Sequence, residues 1–257
     1  MQHFLKTILA ITEQAEKIPL GYFRQGVIVD NKQDDSPVTI ADRATEEFIR
    51  EKLAQEFPDH AILGEEFGQT EHANRYHWII DPIDGTRTFI SGMPLFGMLV
   101  ALLDNGVPVL GVVRMPALGE VYTGSPAGAF LNGTERLQTT GTTRVSQSFL
   151  YINEGEKLLA TEPKIFQTLC NSGREHRLSY DCYPHALLAA GQIDACVDFD
   201  LKPYDFLPLV ALVQAAGGVI TDWDGKPLTL QSGGRVVSAA TAELHAELLE
   251  LLKEHEG

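Results

Sequence analysis

Short apolar runs in this chain alternate with stretches whose apolar residues recur at helical spacing. Trp78-Ile79-Ile80 reads as a strand, and so do 149–152, 195–199 and 219–221. Phe4, Leu5, Ile8 and Leu9 mark a helix expected to end near Pro19. Ala44, Phe48, Ile49, Leu53 and Phe57 mark a second, stopped by Pro58, with Thr39 and Asp42 as capping groups at its start. Further helices are expected near 163–171 and from about Tyr183 to Gly191. Another runs over Phe206, Leu209, Val210 and Val213 to Gly217-Gly218, and a last one over Leu244, Leu248, Leu251 and Leu252. Residues 98–103 and 107–114 flank Asp104-Asn105-Gly106, a hairpin signature. Strands alternating with helices restrict the chain to an α/β layered architecture. At roughly 150 residues per domain, a chain of 257 makes one large domain or two small ones. The Gly/Thr/Ser-rich stretch 132–147 divides an expected α+β half, 1–140, from an α/β half, 141–257.

The net charge of −15 argues against nucleic acid or an anionic membrane as partner, because both are bound through basic patches. A small phosphorylated molecule remains open, provided something other than Lys and Arg neutralises it. Cys170, Cys182 and Cys196 are odd in number and form no C-x-x-C pair, which suggests reduced thiols and a cytoplasmic protein. No apolar run nears the ~20 residues of a membrane-spanning helix, and the N-terminus reads as an amphipathic helix rather than a signal peptide.

The stretch DPIDGT, 81–86, sets two acids three apart across a proline and runs into Gly-Thr. Pro82 fixes its own φ and biases Asp81 to an extended shape. Gly85 permits close backbone approach, and Thr86 opens what looks like a helix, whose free N–H groups suit phosphate. Acids beside such a turn repel a phosphate unless a cation lies between, and Mg²⁺ is held by carboxylates and phosphate oxygens together. A loop with one capping Asp explains the same six residues. Glu65 and Glu66 follow an apolar run, and Asp205 follows Pro203-Tyr204 at a helix start. Taken singly, Glu65 is a solvated loop acid and Asp205 an N-cap. His72 and His77 make no zinc pattern.

Taken together, GEE 64–66, DPIDGT 81–86, YD 204–205 with AGG 216–218, and SPVTIAD 36–42 resemble the inositol monophosphatase family in order and spacing. The runs around YDCY and LKPYDF look closer to the histidinol-phosphate phosphatases of that family. The resemblance implies an alternating αβαβα sandwich, two or three Mg²⁺ per subunit and commonly a homodimer. It implies that Glu65, Asp81, Asp84, Asp205 and the Ile83 carbonyl hold the metals. It further implies that Thr86, bonded to Asp42, activates water, that Glu66 orients the site, and that the Gly85 and Thr86 N–H groups bind phosphate. Counting back from Gly191 and from Asp205 sets Asp181 and Asp198 where relatives contact the polyol. Two acids there suit a cationic ligand, and histidinol phosphate carries an ammonium group; for Asp181 a helix N-cap remains the other reading. The implied reaction is hydrolysis of L-histidinol phosphate to L-histidinol and phosphate, in histidine biosynthesis. Inositol monophosphate or a bisphosphorylated nucleotide as substrate, and a non-catalytic metal- or phosphate-binding regulator, are the alternatives.

Overall fold

The computed structural model of the protein describes residues 1–26, 29–31, 37–70 and 75–253; Ser36 and His72 lie outside them. The chain opens with α1 (Gln2–Ala15) and α2 (Lys17–Tyr22), a short ladder of β1 (Val29–Asn31) with β2 (Pro37–Thr39), and α3 (Ile40–Glu56). The first helical region does not stop at Pro19. It breaks at Glu16, and Pro19 falls in the first turn of α2, where a missing N–H leaves no intrahelical bond unmade.

The chain then builds β3 (Ala61–Gly64), β4 (Gly68–Gln69), β5 (Tyr76–Asp84), α4 (Thr86–Ile90), β6 (Gly97–Asp104), β7 (Val107–Met115), β8 (Glu120–Ser125), β9 (Gly128–Leu131) and β10 (Glu135–Leu137). These strands form one sheet in the order β10-β9-β8-β7-β6-β5-β3-β4, with β3 and β5 parallel. The expected hairpin joins β6 to β7. Asn105 and Gly106 have φ of 50° and 82°, the two left-handed residues such a tight turn needs.

The rest of the chain comprises β11 (Phe149–Asn153), α5 (Gly155–Thr161), α6 (Pro163–Cys170), β12 (Glu175–Ser179), α7 (Tyr183–Ala189), β13 (Ala195–Asp198), α8 (Pro203–Ala215), β14 (Val219–Asp222), β15 (Val236–Ala239) and α9 (Ala242–Lys253). Its sheet runs β12-β11-β13-β15-β14.

Burial arranges these parts in alternating layers. Ile8, Ile49 and Leu53 from α1 and α3 pack on Trp78, Ile80, Val100 and Val112. The intervening residues Ile79, Leu99, Ala101 and Val113 face the other way, onto α7 and α8. Successive side chains of a strand point to opposite faces, so a strand buried on both sides reads as a continuous apolar run. On the outer face of the second sheet, Ile165 and Leu169 of α6 and Leu244 and Leu248 of α9 close the core. Helix, sheet, helix, sheet and helix thus follow in turn, the αβαβα sandwich expected from the sequence.

The central α8 seats closely on the large sheet. A Cβ at Gly111 would lie 2.1 Å from the Pro208 carbonyl oxygen, and one at Gly124 would lie 2.3 Å from that of Ala211. Both obstacles are backbone and cannot rotate away. Gly124→Ala is therefore expected to lower unfolding stability by roughly 1–3 kcal/mol, the usual cost of overpacking. Urea denaturation checks it, and an unchanged midpoint would disprove the close seating.

Candidate active site

Asp81 and Asp84 stand three apart near the end of β5, which in a regular strand would set them on opposite faces. The pairing of β5 with β6 is regular as far as Asp81↔Leu99, then shifts, and resumes at Asp84↔Gly97. Pro82 brings no N–H to the ladder, and the Ile83 N–H turns aside to donate to Asp81 Oδ1 at 3.0 Å. Such an irregularity re-aims side chains. Here carboxylate oxygens of Asp81, Asp84 and Asp205 come to lie within 4.8 Å of one another.

Asp205 reaches this point from the first turn of α8. It is not the N-cap residue, which is Lys202; its carboxylate reaches back to accept the Lys202 N–H at 2.7 Å. The same group therefore caps the start of α8, by the N3 half of a capping box, and faces the acids of β5. Glu65 sits in the turn between β3 and β4 and lines the same cavity, of about 420 Å³. Glu66 is half-buried in that turn and is not among the lining residues.

Gly85 is the N-cap of α4 at φ 85°, and the N–H groups of Gly85 and Thr86 head that helix. Thr86 Oγ1 lies 3.2 Å from Asp42 Oδ1 and 3.3 Å from the Ile83 carbonyl oxygen. Asp42 is fully buried. Its other oxygen accepts the Thr39 N–H at 2.8 Å and the Thr39 hydroxyl at 2.5 Å, while Thr39 Oγ1 accepts the Ala41 N–H at 3.1 Å. The expected caps of α3 are thus formed, and one of them also faces Thr86.

Asp181 lies on the cavity wall. It does not cap α7, whose N-cap is Cys182. With φ at 61°, it accepts the Thr88 hydroxyl at 2.5 Å and turns its carboxylate to Gly85, where any Cβ would stand 2.5 Å from its Oδ2. Asp198 departs from expectation. It is 1% exposed, and its carboxylate is taken by Asn153 Nδ2 at 2.6 Å, the Phe199 N–H at 2.8 Å and His185 Nε2 at 3.0 Å. Buried and engaged, it does not reach the wall. Its near neighbour Asp200 does, together with Arg87, Lys157, Lys202 and Tyr204, none of which the sequence reading counted among the site residues. Lys202 and Tyr204 stood beside Asp205 in LKPYDF, so adjacency was a usable signal. Lys157 carried none: only the fold brings its Nζ to Glu154 at 2.8 Å and to Asp200 at 3.1 Å.

Acids outnumber bases along the cavity wall, six to three. Burial, then the charges of Glu65, Asp84 and Asp205, push the Asp81 carboxyl far above the usual carboxylate range. Burial and the charges of Asp181 and Asp205 do the same to Asp84, although it accepts the Cys182 N–H at 2.6 Å. Asp205 is pushed up to about 7, mainly by burial, and Asp181 to about 6, again mainly by burial. Burial also raises Asp42. Oxygen donors set close together, each disfavoured as an anion, fit a hard divalent cation.

An acid-lined cleft beside a helix start, between the layers of an αβαβα sandwich, defines a metal-dependent phosphatase. The chain belongs to the inositol monophosphatase family, whose sequence model matches residues 1–256. It is 39% identical over 242 residues to a histidinol-phosphatase of Chlorobaculum parvum, covering 93% of this chain and 92% of the relative. It is 38% identical over 256 residues to a bifunctional chloroplast phosphatase of Arabidopsis thaliana, covering 96% and 74%. In three dimensions it is similar to an inositol monophosphatase from Zymomonas mobilis, with a TM-score of 0.89, 34% identity and 98% of each chain covered.

If repulsion among these acids is real, Asp84→Asn should leave the metal-free protein at least as stable as wild type, since an amide oxygen still accepts the Cys182 N–H. The upward shift in melting temperature on adding Mg²⁺ should shrink. Thermal unfolding in chelator and across a Mg²⁺ titration measures both, and an undiminished Mg²⁺ shift would contradict the cluster's role.

Proposed function

We propose that this phosphatase hydrolyses L-histidinol phosphate to L-histidinol and phosphate, with Mg²⁺, two or three ions per subunit, held by Glu65, Asp81, Asp84, Asp205 and the Ile83 carbonyl. The observation that carries the substrate is Asp181. Its carboxylate lies on the cavity wall against Gly85, at the head of the short helix α4. A phosphate taken by the Gly85 and Thr86 N–H groups leaves the organic part of the ester beside that acid. An ammonium group both neutralises Asp181 and donates to it; a neutral polyol can only donate hydrogen bonds. The similarity to a histidinol-phosphatase along nearly the full length of both chains supports the same substrate.

Mg²⁺ bound among these acids supplies charge neutralisation for the phosphoryl oxygens and lowers the pKa of water. The chain's own part is to orient the nucleophile. Asp42 is locked by the cap of α3, so the Thr86 hydroxyl has a fixed acceptor for its proton. Its lone pairs are then turned to an incoming water, whose proton passes toward the Thr86–Asp42 pair as its oxygen bonds to phosphorus; the ester P–O bond breaks, and the histidinol oxygen leaves and takes a proton from solvent. Glu66, beside Glu65 in the same turn, helps orient the site. Histidine biosynthesis, a cytoplasmic location and a homodimer complete the proposal; free thiols at Cys170, Cys182 and Cys196 support a reducing compartment, and sedimentation tests the dimer.

The deciding experiment compares kcat/KM for histidinol phosphate, inositol 1-phosphate and a bisphosphorylated nucleotide at fixed Mg²⁺. Histidinol phosphate should be preferred. A charge-assisted hydrogen bond is worth roughly 1.5–3 kcal/mol, so Asp181→Asn should cost about ten- to a hundredfold on histidinol phosphate and little on an uncharged ester. Equal losses on both would refute ammonium recognition.

Thr86→Ala should lower kcat by about 10²–10⁴-fold, the range of general acid–base groups, while KM stays near the wild-type value. Positioning of water is realised in the transition state rather than in ground-state binding. A change confined to KM would make Thr86 a binding group only.

A further inference from the structure

The turn that carries Glu65 has little stiffness of its own. Its five residues, Gly64-Glu65-Glu66-Phe67-Gly68, include two glycines and two adjacent acids. After burial, the Glu65 charge is the largest influence on Asp81, so the tip of this hairpin is repelled by the cluster it serves. The Glu65 N–H donates to the Ile80 carbonyl at 3.2 Å, which leaves the far side of the turn to be held from behind.

Glu46 holds it. This residue lies within α3 with its side chain fully buried, and it is not among the residues lining the cavity. Its carboxylate accepts the Glu66 N–H at 2.7 Å and the Phe67 N–H at 3.2 Å. Arg50, one helical turn on, donates Nε to the same carboxylate at 2.6 Å and its terminal nitrogen to the Gly68 carbonyl. The far side of the turn, residues 66–68, is thus tied to one helix. The fit is close: a Cβ at Gly64 would stand 2.0 Å from Glu46 Oε1, so only glycine at the mouth of the hairpin admits the carboxylate. An isolated buried carboxylate is expensive, and here a guanidinium and two N–H groups offset that cost together. Asp42 and Glu46 stand four apart on α3 and share one face of it. One rigid helix therefore fixes both the acceptor for Thr86 and the turn bearing Glu65.

We propose that Glu46 and Arg50 are positioning residues for the bound cation: they clamp the 64–68 turn so that Glu65 stays beside Asp81, and so set the affinity for Mg²⁺. This rests on Glu65 as a metal ligand. Groups that orient metal ligands are typically worth 10–100-fold in metal affinity.

The test uses the full chain as Glu46→Gln, Arg50→Lys and Glu65→Gln variants beside wild type. Two midpoints are read against Mg²⁺ concentration: the rise in melting temperature without substrate, and phosphate release, with turnover at saturating Mg²⁺ recorded separately. Glu46→Gln should move both midpoints up by about tenfold or more and leave turnover at saturating Mg²⁺ close to wild type. Arg50→Lys, which keeps the charge but cannot reach Glu46 and the Gly68 carbonyl together, should move them in the same direction by less. A merely structural pair would lower the metal-free melting temperature and leave both midpoints in place, which overturns the proposal. Should Glu46→Gln not fold, Arg50→Lys decides by the same criterion. Weakened Mg²⁺ binding in Glu65→Gln alone overturns the clamp and keeps the ligand. Unchanged binding in Glu65→Gln overturns the ligand assignment, and the clamp with it.

Discussion

Repulsion among buried carboxylates is the constraint to which the rest of this molecule is fitted. Asp81, Asp84 and Asp205 bring oxygens within 4.8 Å of one another. Each is fixed by a backbone N–H, from Ile83, Cys182 and Lys202 respectively. For Asp205, a rise from 3.8 to about 7 remains with the Lys202 hydrogen bond already counted. Ionising it in the fold is therefore costlier than in water. A protein-supplied cation would cancel that cost and would also cancel the reason to bind a metal. Lys157 and Lys202 lie along the same cavity but turn to Asp200 and Glu154 instead. Among the described residues the acids are thus left without a cation of the protein's own, which suits them to a divalent ion.

Holding mutually repelling groups in place needs a stiff frame, and helix starts provide much of it. Asp42 closes the cap of α3 while facing Thr86, and Asp205 closes the start of α8 while facing Asp81. A capping carboxylate has one oxygen committed to the backbone, which fixes its rotamer without a counter-charge. The second oxygen is then aimed by the helix itself. This is why reading Asp205 as a cap or as a site acid poses no real choice: the cap is what orients the acid. The close seating of α8 over Gly111 and Gly124 carries that orientation to the large sheet, and so to Asp81 and Asp84 on β5.

What the sequence made legible follows the same physics. Strands buried on both faces, such as β6, are continuous apolar runs, and α9 repeats its apolar residues at helical spacing, whereas α8 is buried residue after residue from Phe206 to Val213. The edge strand β12, Glu-His-Arg-Leu-Ser, has no buried face and thus no pattern to read; tertiary pairing with β11 makes it a strand. The acids of DPIDGT were legible because proline and glycine mark the irregular backbone that joins them. Asp198 was misjudged by counting. Asp198 and Asp200 differ by two, which along a strand implies the same face. But β13 ends at Asp198, and Asp200 turns to φ 63°. From there alternation no longer applies: the first acid stays inside with His185 and Asn153, and the second emerges at the cavity.

That inner acid still bears on the site through its neighbours. Asn153 Nδ2 donates both to Asp198 and to the Asp181 carbonyl oxygen, at 2.6 and 3.0 Å. The left-handed backbone at Asp181 is one that non-glycine residues adopt at a cost. It is held from below by this amide and from above by the Thr88 hydroxyl at 2.5 Å. Gly85 completes the arrangement on two grounds, its own positive φ and the space its missing side chain leaves for the Asp181 carboxylate. The residue that heads the short helix α4 and the residue on the wall beside it are therefore fitted to each other. That contact fixes the shape of this part of the cavity wall.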